Sequence, residues 1–138
     1  GTQTLPLVVQ QRQVPPVEVQ LANWLNQNRV PQESLVLTWE EERVLSVYAP
    51  EFRARSARTF EQLRQEILAT PHPPRSILFT STLLNGLPEE PWKKELRARL
   101  TPVADFFVPS LFPQEEEFLV LWEATPELIP WLKSKRNT

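Results

Sequence analysis

Residues 34–50, SLVLTWEEERVLSVYAP, decide the fold because they encode a strand, a turn and a helix without interruption. The apolar run Leu35, Val36 and Leu37 is bounded by polar residues, which is typical of a strand covered on both faces. Thr38 then begins T-W-E-E, in which the hydroxyl can cap a backbone N–H and Glu41 can reach back to the Thr38 amide. The stretch therefore predicts a β-α unit that ends at the proline of YAP, where the helical hydrogen bonds cannot continue.

Working outward from this unit, apolar periodicity predicts four more strands and four more helices. The strands fall at 52–57, near an edge of the sheet, and at 76–81, 103–108 and 117–124. The helices fall at 17–28, 59–68, near 90–100, and from Thr125 to about residue 132, where Thr59 and Thr125 are in capping positions. The stretch between 81 and 90 has no clear period, and a left-handed backbone is expected at Gly86.

Alternating strands and helices favour an α/β fold, here a three-layer, Rossmann-like sheet of four to five mostly parallel strands with helices on both faces. About eight residues link the last two strands, too few for a parallel crossover, so these two strands are predicted to be antiparallel. The Pro15-Pro16 pair disfavours helix before it. Residues 1–16 are therefore interpreted as a linker or irregular edge segment, and residues 17–138 as one α/β domain.

The composition excludes several classes of protein. Fifteen basic and seventeen acidic residues give a net charge of −2 without a long cluster of either sign, so nucleic acid is not an expected partner. The absence of cysteine excludes disulfides, thiolate metal sites and a cysteine nucleophile. Glycine occurs only at positions 1 and 86, which excludes the glycine-rich loops that hold nucleotide phosphates. No cofactor is expected.

The chain contains no methionine, and Gly1 has the character of a residue left by a cleaved tag, so we expect a fragment of a longer protein. No apolar run approaches the roughly 20 residues that cross a bilayer. The segment itself is expected to be soluble.

Five polar residues follow the first and third predicted strands, where open α/β sheets bind ligands: Thr38, Glu40, Glu41, Ser81 and Thr82. Carboxylates there can act as a general base or hold a divalent cation, but acidic residues also favour the positive end of a helix dipole. The hydroxyls can bind a phosphate or a sugar, or simply cap a helix. Both interpretations stay open, and the five are candidate ligand-binding residues.

No catalytic or metal-binding residue is predicted. His72 is the only histidine, so neither a Ser-His-Asp triad nor a multi-histidine metal site can be assembled from this chain alone. The acidic run 115–117 is interpreted as a solvated flank of a hydrophobic strand, with a cation site as the alternative. Trp92 is the tryptophan to examine for exposure, since exposed indole rings can stack on sugars.

Four stretches together resemble the soluble tail of bacterial polytopic glycosyltransferases of the dolichyl-phosphate-mannose protein mannosyltransferase-like family. These enzymes use polyprenyl-phosphate sugars. In such tails a helix of the ARWL kind precedes an apolar strand, an acidic helix start and a YAP helix end. The matching stretches are PPVEVQLANWLNQN from residue 15, PQESLVLTWEEERVLSVYAPEF from residue 31, SILFTS from residue 76 and FLVLWEAT from residue 118.

The resemblance implies a non-catalytic, extracytoplasmic (periplasmic) domain of a membrane-embedded glycosyltransferase-like protein. Its partners would be the membrane-spanning part of the same polypeptide and a glycan or protein acceptor. The family's catalytic acids lie near its first membrane helices, which this chain lacks, so none is carried over and the segment itself is not expected to be an enzyme.

Two other functions remain open. The chain can be a stand-alone, cytoplasmic α/β domain that binds a small ligand, or an enzyme, using the crevice after the first and third strands. It can also be an oligomerisation module, which predicts an exposed apolar patch involving Trp92, Phe112 and Trp131.

Overall fold

A computed structural model describes residues 14–69 and 71–135, which contain five strands, six α-helices and two short 3-10 helices, Pro31–Glu33 and Pro113–Glu115. Most of the predicted segment 1–16 lies outside the described residues. The elements are α1 (Val17–Asn28), β1 (Ser34–Thr38), α2 (Glu42–Tyr48), β2 (Arg53–Ser56), α3 (Phe60–Leu68), β3 (Ser76–Thr80), α4 (Ser81–Gly86), α5 (Pro91–Arg97), β4 (Leu100–Val108), β5 (Glu117–Ala124) and α6 (Leu128–Ser134).

The five strands form one mixed sheet in the order β2-β1-β3-β5-β4. β1 pairs in parallel with β2 and β3, whereas β5 pairs antiparallel with β3 and with β4. The predicted antiparallel arrangement of the last two strands is confirmed, but the prediction of a mostly parallel sheet is wrong. The reason is that β5 turns back after β4 and enters the sheet between β3 and β4, so both of its pairings are antiparallel.

The central strands β1 and β3 are buried along their whole length, as the apolar runs in both strands predict. Alternate residues of a strand point to opposite faces, and the buried side chains divide accordingly into two clusters. One cluster contains Val36 and Leu78 together with side chains of α1 and α2. The other contains Leu35 and Phe79 together with side chains of α3, α4, α5 and α6. Each face of the central strands is therefore covered by its own set of helices.

The segment between 81 and 90 contains the short helix α4, which the sequence did not predict because six residues are too few to show a helical period. The capping hydroxyl of Thr59 is confirmed, since its oxygen accepts from the Gln62 amide at 3.1 Å. The predicted cap at Thr125 is wrong, because its hydroxyl is buried without a hydrogen-bond partner among the described residues.

The capping box predicted from Thr38 to Glu41 is also wrong. Thr38 is the last residue of β1, and its hydroxyl lies 3.5 Å from the Arg55 carbonyl of β2. The Glu41 carboxylate accepts instead from the Trp39 amide at 3.1 Å, and α2 begins only at Glu42. The chain therefore needs a turn of three residues before the helix, which the sequence pattern did not show.

Gly86 is required for close packing rather than for a left-handed backbone. No described glycine has a positive φ, so the expected conformation is wrong. A Cβ atom at this position would lie 2.7 Å from two carbons of the Trp39 indole, closer than real contacts allow. The absence of a side chain at Gly86 therefore lets the ring of Trp39 rest against α4.

Replacing Gly86 with alanine should lower the free energy of unfolding by about 1–3 kcal/mol, because the added methyl group displaces the Trp39 ring. Urea denaturation of the single variant measures this change. In a Trp39→Ala background the same substitution should have no comparable penalty. A penalty that persists there would contradict the assignment to the ring contact.

Lys93 is buried, with 2% of its surface exposed, and its ammonium group has two oxygen partners. Its Nζ donates to the Leu87 carbonyl at 2.8 Å and to the Glu89 carboxylate at 2.6 Å. The hydrogen bond from Lys93, followed by its charge, lowers the pKa of Glu89 below the ordinary value of 4.5. Lys93 therefore links α5 to the segment that precedes it, and the ion pair contributes to this link while Glu89 is ionised.

The ionised Glu89 carboxylate is stabilised in the folded state, so its pKa is lower there than in the unfolded chain. This contribution to the free energy of unfolding is fully present above pH 4.5. It should be lost as the pH falls through the lowered pKa and the carboxylate is protonated. At neutral pH the Glu89→Gln variant should be less stable than the wild type, and the difference should shrink below pH 4.5. Urea titrations between pH 7 and 3 measure it. Glu51→Gln, an exposed control, should leave the pH dependence unchanged.

Candidate functional site

Glu41 and Thr82 meet just beyond the carboxyl ends of the parallel strands β1 and β3. The Thr82 hydroxyl donates to the carboxylate of Glu41, with its oxygen 2.9 Å from both Oε1 and Oε2. The hydroxyl oxygens of Thr82 and Thr80 are 2.9 Å apart. Two of the five predicted site residues are therefore brought together, and Thr80 joins them.

The polar atoms of this cluster are used within the fold. Glu41 is only 6% exposed, and its carboxylate accepts from the Trp39 amide as well as from Thr82. Thr80 caps α4, because its hydroxyl oxygen accepts from the Leu83 amide at 3.3 Å. Thr80 was not among the predicted site residues because it ends the apolar run of β3, although it stands one residue before Ser81. The cluster connects the ends of β1 and β3 by hydrogen bonds.

The other three predicted residues do not join this cluster. Thr38 is fully buried and points to β2. The Ser81 hydroxyl oxygen accepts from the Val120 amide of β5 at 2.9 Å, which ties the start of α4 to the sheet. Glu40 is exposed to solvent. The five residues therefore do not converge on one ligand position.

Acidic side chains lie near this edge without forming a cation site. The pKa of Glu18 is raised, mainly by burial and also by the charges of Glu117 and Glu41. A backbone hydrogen bond offsets part of this rise. Glu117 caps α1, since its carboxylate accepts from the Val17 amide at 3.1 Å. Within 14–69 and 71–135, no group of three or more acidic, histidine or cysteine side chains is arranged to hold a metal ion.

A cleft of about 350 Å³ lies beside Trp92, and we call it the Trp92 cleft. Trp92 is half-buried, its Nε1 donates to the Glu90 carboxylate at 2.6 Å, and its ring centroid lies 4.9 Å from that of Phe60. The cleft thus combines aromatic surface with carboxylate acceptors, groups that suit a hydroxyl-rich ligand such as a sugar. It is lined by Thr59, Phe60, Glu61, Pro88, Glu90 and Trp92.

The sequence pointed to Trp92 but not to the carboxylates beside it. Glu61 lies at the start of α3, and Glu90 immediately precedes α5. The two acids are 29 positions apart in a chain with many acidic residues, so nothing in the sequence links them. Packing of Phe60 against Trp92 brings the two helix starts to the same cleft.

The apolar patch predicted for an oligomerisation module is not formed by the residues proposed for it. Trp131, a residue of α6, is buried in the cluster that α6 forms with α3, α4 and α5, whereas Phe112 is exposed in the loop between β4 and β5. The exposed large apolar side chains of this hairpin are Phe107, Leu111, Phe112 and Phe118.

No family model, curated protein or solved structure was found to match this chain. None of the helices in the described residues has both the length and the apolar character that spanning a bilayer requires. The features of this chain that bear on function are therefore the Glu41–Thr82 cluster, the Trp92 cleft and the sequence resemblance.

Removing the Thr82 hydroxyl with the nearly isosteric Thr82→Val change should lower the free energy of unfolding by about 1–3 kcal/mol, because the buried Glu41 carboxylate loses a donor. Denaturant unfolding measures the loss. The matched control is Glu40→Gln, a change at the exposed neighbour, which should stay within about 0.5 kcal/mol of the wild type. Equal effects of the two variants would show that the Glu41–Thr82 hydrogen bond does not stabilise the fold.

Proposed function

We propose that this chain is a non-catalytic, soluble, extracytoplasmic domain of a membrane-embedded glycosyltransferase-like protein. The main observation in support of the proposal is that the Glu41 carboxylate accepts hydrogen bonds from the Thr82 hydroxyl and the Trp39 amide within the fold. The proposal that the parent is a glycosyltransferase-like protein is based on the sequence resemblance. The membrane-spanning part of the same polypeptide is the partner that the proposal names.

The hydrogen bonds of Glu41 argue against a catalytic role at the ends of β1 and β3. A general base must reach the proton of its substrate directly or through one water molecule. Glu41 is almost completely buried and both of its carboxylate oxygens face the Thr82 hydroxyl. Its arrangement suits a structural acid that joins two strand ends rather than an acid that exchanges protons with a ligand.

The Trp92 cleft supports the docking part of the proposal. Its half-buried indole and two nearby carboxylates fit a glycan acceptor, because sugar rings offer apolar C–H faces to aromatic rings and hydroxyl donors to carboxylates. The domain would then hold the acceptor while the chemistry occurs in the membrane-embedded part. A three-layer, Rossmann-like arrangement belongs to the same proposal, and the two hydrophobic clusters on opposite faces of β1 and β3 support it.

The alternative is a stand-alone domain that binds a small ligand. The Trp92 cleft favours this alternative as well, since a volume of about 350 Å³ is within the range of small-molecule sites. The membrane-embedded parent requires membrane-spanning segments before this domain, whereas the stand-alone domain does not. Only the stand-alone domain could use its own residues for a chemical reaction.

In the full reading frame that encodes this chain, we expect several apolar spans of roughly 20 residues upstream of Thr2. In the full-length protein, Glu41→Gln should leave sugar transfer from polyprenyl-phosphate sugars to native membranes within about twofold of the wild type, because loss of a general base would cost about 10²–10⁴-fold. Trp92→Ala should reduce transfer through weaker acceptor binding. Radiolabelled sugar incorporation measures both variants.

Two results would overturn this proposal. A start codon close to Thr2 with no apolar span would remove the membrane-embedded parent and leave the stand-alone domain, with the Trp92 cleft as its leading site. A folded Glu41→Gln protein that loses transfer would place chemistry in this domain. Circular dichroism of the isolated variants separates loss of function from loss of folding.

A further inference from the structure

Three buried polar atoms without hydrogen-bond partners lie where β4, β5 and α6 meet. They are Nε of Arg99, Oγ1 of Thr125 and Nε1 of Trp131, all unpartnered within the described residues. Buried donors and acceptors in native proteins are nearly always paired, so each exception calls for a physical explanation. Three such atoms in one part of the fold suggest that a group bound there supplies the missing partners.

The contacts among these residues place them in one neighbourhood. The guanidinium carbon of Arg99 lies 5.0 Å from the centroid of the Trp131 ring. The Arg99 carbonyl accepts from the Thr125 amide at 2.9 Å. Arg99 and Trp131 also line one cleft of about 460 Å³, which we call the Arg99 cleft, together with Pro126, Glu127, Pro130 and Ser134. Thr125 lines the adjoining cleft on the other side of Pro126.

The two unpartnered groups in the Arg99 cleft, Nε of Arg99 and Nε1 of Trp131, are both N–H donors. Nε belongs to the positively charged guanidinium group of Arg99. Arg99 makes a hydrogen bond from Nη1 to the Glu95 carbonyl, but no carboxylate among the described residues lies within ion-pair distance of its guanidinium. Trp131 is 7% exposed and its ring packs edge-on against Phe60, so its orientation is fixed. The missing ligand group must therefore accept hydrogen bonds, and a negative charge suits it best.

We propose that the Arg99 cleft binds a small oxyanion, a carboxylate or a phosphate group, through Nε of Arg99 and Nε1 of Trp131. Charge-assisted hydrogen bonds of this kind are stronger than neutral ones. Nε of Arg99 and Nε1 of Trp131 are both buried, so binding requires the half-buried side chain of Arg99 to rotate and open a path to them. Glu127 also lines the cleft, but it is exposed and its charge is screened by solvent.

The test titrates the full chain with sodium phosphate and, separately, with sodium acetate at constant ionic strength, and follows the melting temperature and the indole N–H signals in ¹⁵N NMR spectra. At least one of the two anions should give a saturable rise in melting temperature and a saturable shift of the Trp131 indole signal. The phosphate and acetate arms show which oxyanion the site prefers.

Trp131→Phe keeps an aromatic ring but removes the N–H donor, so it should weaken binding of the anion about tenfold or more, the effect of losing a hydrogen bond to a charged group. Trp92→Phe, the matched control in the other cleft, should leave the affinity unchanged. Arg99→Lys keeps the positive charge but loses Nε, and provides a second test if Trp131→Phe fails to fold.

The proposal is overturned if neither anion gives a saturable response, or if Trp131→Phe and Arg99→Lys both bind as tightly as the wild type. A rise in stability of Trp131→Phe without any anion, together with absent binding, would show that the indole N–H is simply buried without a partner. These outcomes do not depend on whether the domain belongs to a glycosyltransferase.

Discussion

The parallel pairing of β1 with β3 is the interaction on which the other features of this fold depend. Every residue of both strands is buried, and their side chains divide between two hydrophobic clusters on opposite faces. Polar groups at the ends of such buried strands lower the free energy of unfolding when they have no hydrogen-bond partner. The hydrogen bonds that link Glu41, Thr82 and Thr80 across the two strand ends meet this requirement.

The edge where a ligand crevice is expected also contains contacts between side chains of the domain. In open α/β sheets, ligands bind where neighbouring parallel strands lead to connections that diverge, which here is the edge after β1 and β3. In this chain, the Trp39 ring rests against Gly86 and the Arg58 guanidinium lies 3.7 Å from the centroid of that ring. Side chains that follow β1 and β3 therefore contact one another at this edge.

The Trp92 cleft and the Arg99 cleft differ in chemistry. The Trp92 cleft offers aromatic surface and carboxylate acceptors, whereas the Arg99 cleft offers unpaired donors and a positive charge. Phe60 contacts both Trp92 and Trp131, with ring centroids 4.9 and 5.6 Å away, so one side chain of α3 supports both clefts. A substitution at Phe60 would therefore disturb both sites, while Trp92 and Trp131 can be changed separately.

The sequence by itself determined the local elements, because apolar period and cap residues act over a few neighbouring positions. The apolar runs of β1 and β3, the helix that begins after Thr59 and the strand Glu117–Ala124 all follow from such patterns. Tertiary structure decided the position of β5 between β3 and β4, the role of Gly86 and the partners of Glu41. These features depend on contacts between segments that are far apart in the chain. The strand order determines which side chains meet, and the spacing of residues in the sequence does not indicate that order.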